Sequence, residues 1–133
     1  MKKSKTEANG ITTAAGDYLK AIYDLEVTEG RASTGALAER LGIAPASVTN
    51  MLCALASRGL VDYQKRKGAT LTPRGLQLAK QLMRHYETLE FILLRLGASP
   101  EEAQTEAERL EHEMSVETAQ RLAAAIAMNV RSS

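Results

Sequence analysis

The sequence predicts a mainly α-helical protein that opens with a winged helix-turn-helix, carrying a small two-stranded wing, and ends in a helical half. Three features predict it. Two short amphipathic segments meet at a tight turn marked by Gly42; a brief β-patterned run with a basic tip follows; and beyond Pro73 the apolar residues recur at helical spacing.

From about Thr13 to Glu26, Tyr18, Leu19, Ile22, Tyr23 and Leu25 sit at mainly helical spacing, ahead of the turn-prone Glu29-Gly30. Ser33 or Thr34 can cap a short helix bearing Ala36, Leu37, Ala38 and Leu41, stopped by Gly42. Pro45 suits a first helical position, and Val48, Met51, Leu52 and Leu55 then repeat on one face until Gly59. There the period changes. Leu60-Val61-Asp62-Tyr63 and Ala69-Thr70-Leu71 read as two strands joined by the basic tip Lys65-Arg66-Lys67-Gly68. Thr72 caps the longest helix, with Pro73 at its first position and Ala79, Leu82, Met83, Tyr86, Leu89, Leu93 and Leu96 on one stripe up to Gly97. Ser99-Pro100-Glu101-Glu102 is a capping-box start for a helix to about Met114, and Ser115 can cap a last helix with Ala119, Leu122, Ala123, Ile126 and Val130 apolar. The expected division is residues 1–74, a winged-helix domain with a flexible basic arm over 1–10, and residues 75–133, a helical domain.

At 133 residues the chain can bury a hydrophobic interior, and its 44% apolar and 25% charged residues exclude a disordered or collagen-like class. No run approaches the roughly 20 apolar residues that span a bilayer. MKKSKTEANG is basic without an apolar segment behind it, so no signal peptide is expected, and a soluble, cytoplasmic protein with no membrane partner is the default. The single Cys53 excludes an intramolecular disulfide and a multi-cysteine zinc site, leaving oxygen and imidazole for any metal chemistry. Charge is divided. Residues 1–75 hold 11 Lys/Arg and 7 Asp/Glu, a net of +4, whereas residues 76–133 hold 6 and 9, a net of −3. One half can attract a polyanion and the other a cation.

With Val48, Met51, Leu52 and Leu55 inward, the opposite face of that helix carries Ala46, Asn50, Cys53 and Ser57, flanked by Ser47 and Thr49. Small polar side chains are what a helix in the major groove needs to reach base edges, and its N-terminus can approach a phosphate. The residues expected at double-stranded DNA are Pro45, Ala46, Ser47, Thr49 and Asn50, with Asn50 suited to an adenine edge. Lys65, Arg66 and Lys67 would supply contacts to the phosphate backbone. The bland alternative is a solvated helix and turn; the hairpin in the expected place argues for the DNA reading.

On a helix at about 100° per residue, Glu108, Glu111 and His112 project from one side. They can converge on one cation, and glutamates with an imidazole favour Mn²⁺ or Fe²⁺ over thiolate-loving ions without excluding Zn²⁺. The bland alternative is an exposed acidic helix face.

Most of the chain resembles the diphtheria toxin repressor and manganese transport regulator family of metal-dependent transcription factors. The resemblance is carried by Asp17-Tyr18-Leu19-Lys20-Ala21-Ile22-Tyr23, Ile43-Ala44-Pro45-Ala46-Ser47-Val48-Thr49, Leu71-Thr72-Pro73-Arg74-Gly75 and Glu108-Arg109-Leu110-Glu111-His112-Glu113-Met114-Ser115. It implies a C-terminal helical dimerisation domain, with no room for the family's optional SH3-like domain. It also implies that Asp17 joins Glu108, Glu111 and His112 as metal ligands. A second site is interrupted. Lys20 stands where the manganese branch has a glutamate, Tyr86 where it has a histidine, and Gln104 at a histidine position of the iron branch, whose acidic position Glu90 does match. Lys20 would repel a second ion or pair with Glu108 or Glu111. His85, one residue from Tyr86, is a further candidate ligand beside Glu90.

The resulting expectation is a homodimeric, Mn²⁺- or Fe²⁺-responsive DNA-binding regulator with one ion per protomer and no small-molecule substrate. Dimerisation also follows from the apolar stripe of the last two helices, which a chain this short buries only partly. Repression of metal-uptake genes is implied by the resemblance alone. The alternative is a metal-independent winged-helix regulator with a degenerate site. An enzyme is not expected: Glu108-Arg109-Leu110-Glu111-His112 lacks the first histidine of the H-x-x-E-H metallohydrolase signature.

Overall fold

A computed structural model describes residues 11–132, with side chains through 129; the expected basic arm over 1–10 lies outside the described residues. The elements are α1 (Thr13–Glu29), α2 (Thr34–Leu41), α3 (Pro45–Ser57), β1 (Val61–Gln64), β2 (Gly68–Leu71), α4 (Pro73–Arg95), α5 (Pro100–Leu110) and α6 (Val116–Ser132). They form two compact units: Ile11–Lys80, ending within α4, and a second that begins at Gln81. Among the described residues no helix is long and apolar enough to cross a membrane.

The helix ends follow local chemistry. Thr12 caps α1 by accepting from the Ala15 amide at 3.1 Å, and Ser33 caps α2 by accepting from Ala36 at 3.0 Å. Gly30 and Gly42 close these helices at φ of 86° and 67°, conformations a side chain disfavours. The first helix therefore runs to Glu29, beyond the expected Glu26, because its stop is the left-handed residue and not the last apolar one. Leu19, Ile22, Leu37, Val48, Leu52, Leu55 and Leu60 are fully buried in the first unit. Each such side chain contributes about 1.5–3 kcal/mol of burial free energy.

The wing is antiparallel, pairing Val61 with Leu71 and Gln64 with Gly68. The first strand begins one residue later than expected. Leu60 closes α3 instead: its amide donates to the Leu55 carbonyl at 3.0 Å, and its own carbonyl accepts from Thr72 at 3.1 Å. Ala32 adds a third line of pairing, exchanging hydrogen bonds with Ala69 at 2.9 and 2.8 Å. Glu26 holds the same strand, its Oε1 accepting from the Leu71 amide at 2.6 Å. Neither contact has a local sequence signal.

Thr72 starts α4, accepting from the Gly75 amide at 3.1 Å while its hydroxyl donates to the Gly59 carbonyl at 2.7 Å. This draws the helix start onto Leu60 so closely that a Cβ on Gly75 would meet the Leu60 carbonyl oxygen. Gly75→Ala must move backbone and is expected to cost about 1–3 kcal/mol. Urea unfolding of the variant checks it; unchanged stability would mean that the two segments separate freely.

In the second unit, Leu89, Ile92, Ala107 and Ala119 form the core, with Tyr86, Leu93, Leu110, Met114, Ala123 and Ile126 packed around it. The expected stripe is shifted at its end, where Ile92 is buried and Leu96 is 70% exposed. The capping box at α5 is complete, with Ser99 accepting from Glu102 at 3.1 Å and donating its amide to the Glu102 carboxylate at 2.9 Å. That helix ends at Leu110, not near Met114. His112 donates to Arg109 at 3.4 Å and Glu113 to Leu110 at 2.9 Å, three-residue bonds that tighten the chain, and Ser115 then caps α6 through the Thr118 amide at 3.1 Å. A cap needs extended backbone, so the preceding helix must stop.

Candidate functional site

The outer face of α3 exposes Pro45, Ala46, Ser47, Asn50, Cys53 and Ser57, with Thr49 half-buried, while Val48, Leu52 and Leu55 face the core. Ala44 gives α3 no side-chain cap, so its first amides are left for other acceptors. Lys65, Arg66 and Lys67 are exposed at the tip of the wing. The Lys67 amide closes that turn on the Gln64 carbonyl at 3.0 Å, and Arg66 adopts a left-handed φ of 74°, unusual for a side chain of its size. The structure thus places each residue expected at DNA on α3 or at the wing tip.

Asp17 and Lys20 lie one turn apart on α1. The Lys20 Nζ is 3.9 Å from Asp17 Oδ1, with the side chains 23% and 46% exposed. An incoming cation at Asp17 must compete with that ammonium.

In the second unit, Glu111 and His112 occupy the turn after α5, not the helical face expected for them. Glu111 retains a local αR conformation, so the direction of its side chain still continues the helix. Glu111 Oε2 lies 3.6 Å from His112 Nε2, and the side chains are only 7% and 19% exposed. Glu108 is exposed on α5. Its charge nevertheless reaches Tyr86, whose phenol is held above its ordinary value near 10 by burial first, then by Glu90, Glu108 and Glu111. Glutamate oxygens with an imidazole fit a divalent ion of the Mn²⁺ or Fe²⁺ type.

His85 is 6% exposed on α4, and its Nε2 is 2.8 Å from the Met114 carbonyl oxygen. Among the described residues, none of Glu108, His85 and Glu90 joins a group of three possible ligands with donor atoms within 4.8 Å of one another, so the structure does not gather the expected ligand Glu108 with the others. The His85 bond joins residues 29 positions apart and left no trace in the sequence pattern.

Burial raises the Tyr18 phenol as well as that of Tyr86. A raised folded-state value means that the folded protein holds the proton more tightly, so this contribution is complete below about pH 10 and is lost as pH rises through the folded values. Stability should fall in that alkaline window, and Tyr86→Phe should flatten the fall. Denaturant midpoints across the range test this; identical profiles for both proteins would refute the assignment to Tyr86.

Exposed small polar groups and a cationic turn have the chemistry to meet a polyanion, whereas the carboxylates and imidazole of the second unit have the chemistry to meet a cation. That division of labour defines a metal-dependent DNA-binding regulator. The iron dependent repressor N-terminal DNA binding domain matches residues 10–69, and the iron dependent repressor metal binding and dimerisation domain matches residues 72–130. The chain belongs to the iron-dependent repressor family, whose members are transcriptional regulators and not enzymes.

Relatives agree with that placement. The chain is 36% identical over 112 residues to the HTH-type transcriptional regulator MntR of Lysinibacillus sphaericus, covering 84% of this chain and 81% of the relative. It is 40% identical over 102 residues to the transcriptional regulator MntR of Salmonella typhimurium, covering 77% and 65%. A solved manganese-dependent transcriptional repressor complex with manganese superposes with a TM-score of 0.72 at 35% identity, covering 85% of this chain. The chain spans only about half of that solved structure, 52% of its length.

Proposed function

We propose that the protein is a Mn²⁺- or Fe²⁺-responsive regulator that binds a double-stranded DNA operator as a homodimer in the cytoplasm, represses metal-uptake genes and takes no small-molecule substrate or membrane partner. The observation that carries this is the buried pairing of Glu111 with His112 in the domain that matches the family's metal-binding part. The proposed ligands are Asp17, Glu108, Glu111 and His112, with one ion per protomer. The ion, when bound, supplies positive charge that these donors share. Asp17 and the other three ligands belong to different units, so an ion that requires all four selects the arrangement of the chain in which they meet. Differential affinity for that arrangement then shifts the population toward DNA binding. Glu90 and His85 remain candidate ligands for a second ion, which the one-ion reading does not need.

Pro45, Ala46, Ser47, Thr49 and Asn50 are proposed to address the major groove, and Lys65, Arg66 and Lys67 the phosphates. The expected domain division, 1–74 and 75–133, remains the functional one proposed. Homodimer formation is supported by exposed apolar side chains of the second unit, with Phe91 37%, Leu94 42%, Leu122 42% and Met128 66% accessible. Leu94→Glu should therefore lower the solution mass at micromolar concentration to that of one chain; an unchanged dimer would show that this face is not the interface.

A second reading, DNA binding without metal, is favoured by one contact: the Lys20 ammonium stands 3.9 Å from Asp17, beside the carboxylate an ion would need. Calorimetric titration with Mn²⁺ and Fe²⁺, joined to operator binding with and without chelator, separates the two. Metal binding coupled to tighter operator binding supports the first; full operator affinity in chelator with no heat of metal binding establishes the second.

A further inference from the structure

We infer that His85 is a positioning residue that sets the affinity of the Glu111 and His112 ligands by holding the backbone of their turn from α4. The inference rests on the metal-binding reading above. A carbonyl oxygen only accepts, so the His85 Nε2 at 2.8 Å from Met114 carries the proton and donates it. This bond lands two residues after His112, at the residue before the Ser115 cap of α6.

Within the turn the Glu113 and Met114 amides donate to the Leu110 carbonyl at 2.9 and 2.8 Å, and the longest of its backbone bonds is the one at the imidazole ligand, the His112 amide being 3.4 Å from the Arg109 carbonyl. The His85 bond ties the far end of this turn to α4. On one side the segment from Glu111 to Glu117 borders a cavity of about 670 Å³, so packing does not fix it there. His85 lines the same cavity and is 6% exposed, and its Nδ1 has no hydrogen-bond partner among the described residues. The one polar contact seen for this buried ring is therefore the bond to the ligand turn. Ligands held within a fraction of an ångström bind metal more tightly than ligands on a loose backbone, and partners one step removed from the ion typically change affinity 10–100-fold.

The test compares His85→Leu, which fills space without a donor, with His85→Gln, whose amide can donate from a similar distance but is a poor metal ligand. The probe is Mn²⁺ alone, titrated calorimetrically into the full chain, with the thermal midpoint of the metal-free protein recorded beside it. His85→Leu is expected to weaken Mn²⁺ binding about 10–100-fold, with His85→Gln restoring it to within about threefold of the parent. Equal affinities for parent and His85→Leu overturn the inference. So does a loss shared by both variants, which would make His85 a ligand. If His85→Leu does not fold, His85→Gln decides, parental affinity supporting the hydrogen-bond role and a tenfold loss refuting it. No Mn²⁺ binding by the parent would overturn the metal reading itself.

Discussion

Glu111→Ala and His112→Ala should each lower Mn²⁺ or Fe²⁺ affinity about 100-fold or more and remove the dependence of operator binding on metal. The magnitude follows from position. Outer partners of metal ligands already change affinity 10–100-fold, and these two side chains are proposed to touch the ion. Both are largely buried, adjacent at 3.6 Å, and set in a turn that a substitution to alanine does not interrupt. Coupling between a metal and a DNA site is typically about 5–150-fold, so specific operator affinity should fall by that much, to the level the parent shows in chelator. Weak non-specific DNA binding should persist, because α3 and the wing lie in the first unit. Calorimetry with the metal and fluorescence anisotropy with the operator read the two effects separately. Variants that still gain operator affinity on metal addition would show that other residues hold the ion.

Replacing Lys65, Arg66 and Lys67 together by alanine should weaken binding to every DNA sequence and flatten its salt dependence. Each neutralised phosphate contributes about 0.9 to the slope of log K against log salt, so loss of three contacts should reduce the slope by roughly 2–3. The three side chains are exposed at one tight turn, where their mutual repulsion favours a polyanion. Asn50→Ala is the contrasting variant. It should leave the slope nearly intact and relax preference at one base pair, by about 1–3 kcal/mol. Anisotropy titrations over a range of salt concentrations distinguish them; an unchanged slope for the triple variant would remove the wing from the phosphate contacts.

Much of this was legible in the order of residues. The stops at Gly42 and Gly97, Pro45 and Pro73 at helix starts, and the Ser99–Glu102 box each act within one turn of chain, and each appears where the pattern places it. Of the expected inward set, Val48, Leu52 and Leu55 are buried and Met51 is half-buried, because a helical period fixes which side chains share a face but not how deep its edge lies. Glu108, Glu111 and His112 were proposed as donors by the same reasoning, but the helix that would set them on one face ends at Leu110, and Glu108 is not gathered with the other two.

The sequence by itself determined the element types, the polar face of α3, the cationic wing and the chemical identity of the candidate ligands, since propensity, capping and charge are properties of residues and their near neighbours. Only the tertiary structure decided which distant groups support them. Glu26 accepts from Leu71 across 45 positions, Ala32 pairs with Ala69, and His85 reaches Met114 across 29. It also decided that Gly75 must lack a side chain, because the Leu60 carbonyl lies where one would be. Such contacts depend on where the packed chain brings two segments together, and buried polar groups must then find partners wherever packing leaves them. No local period encodes that meeting.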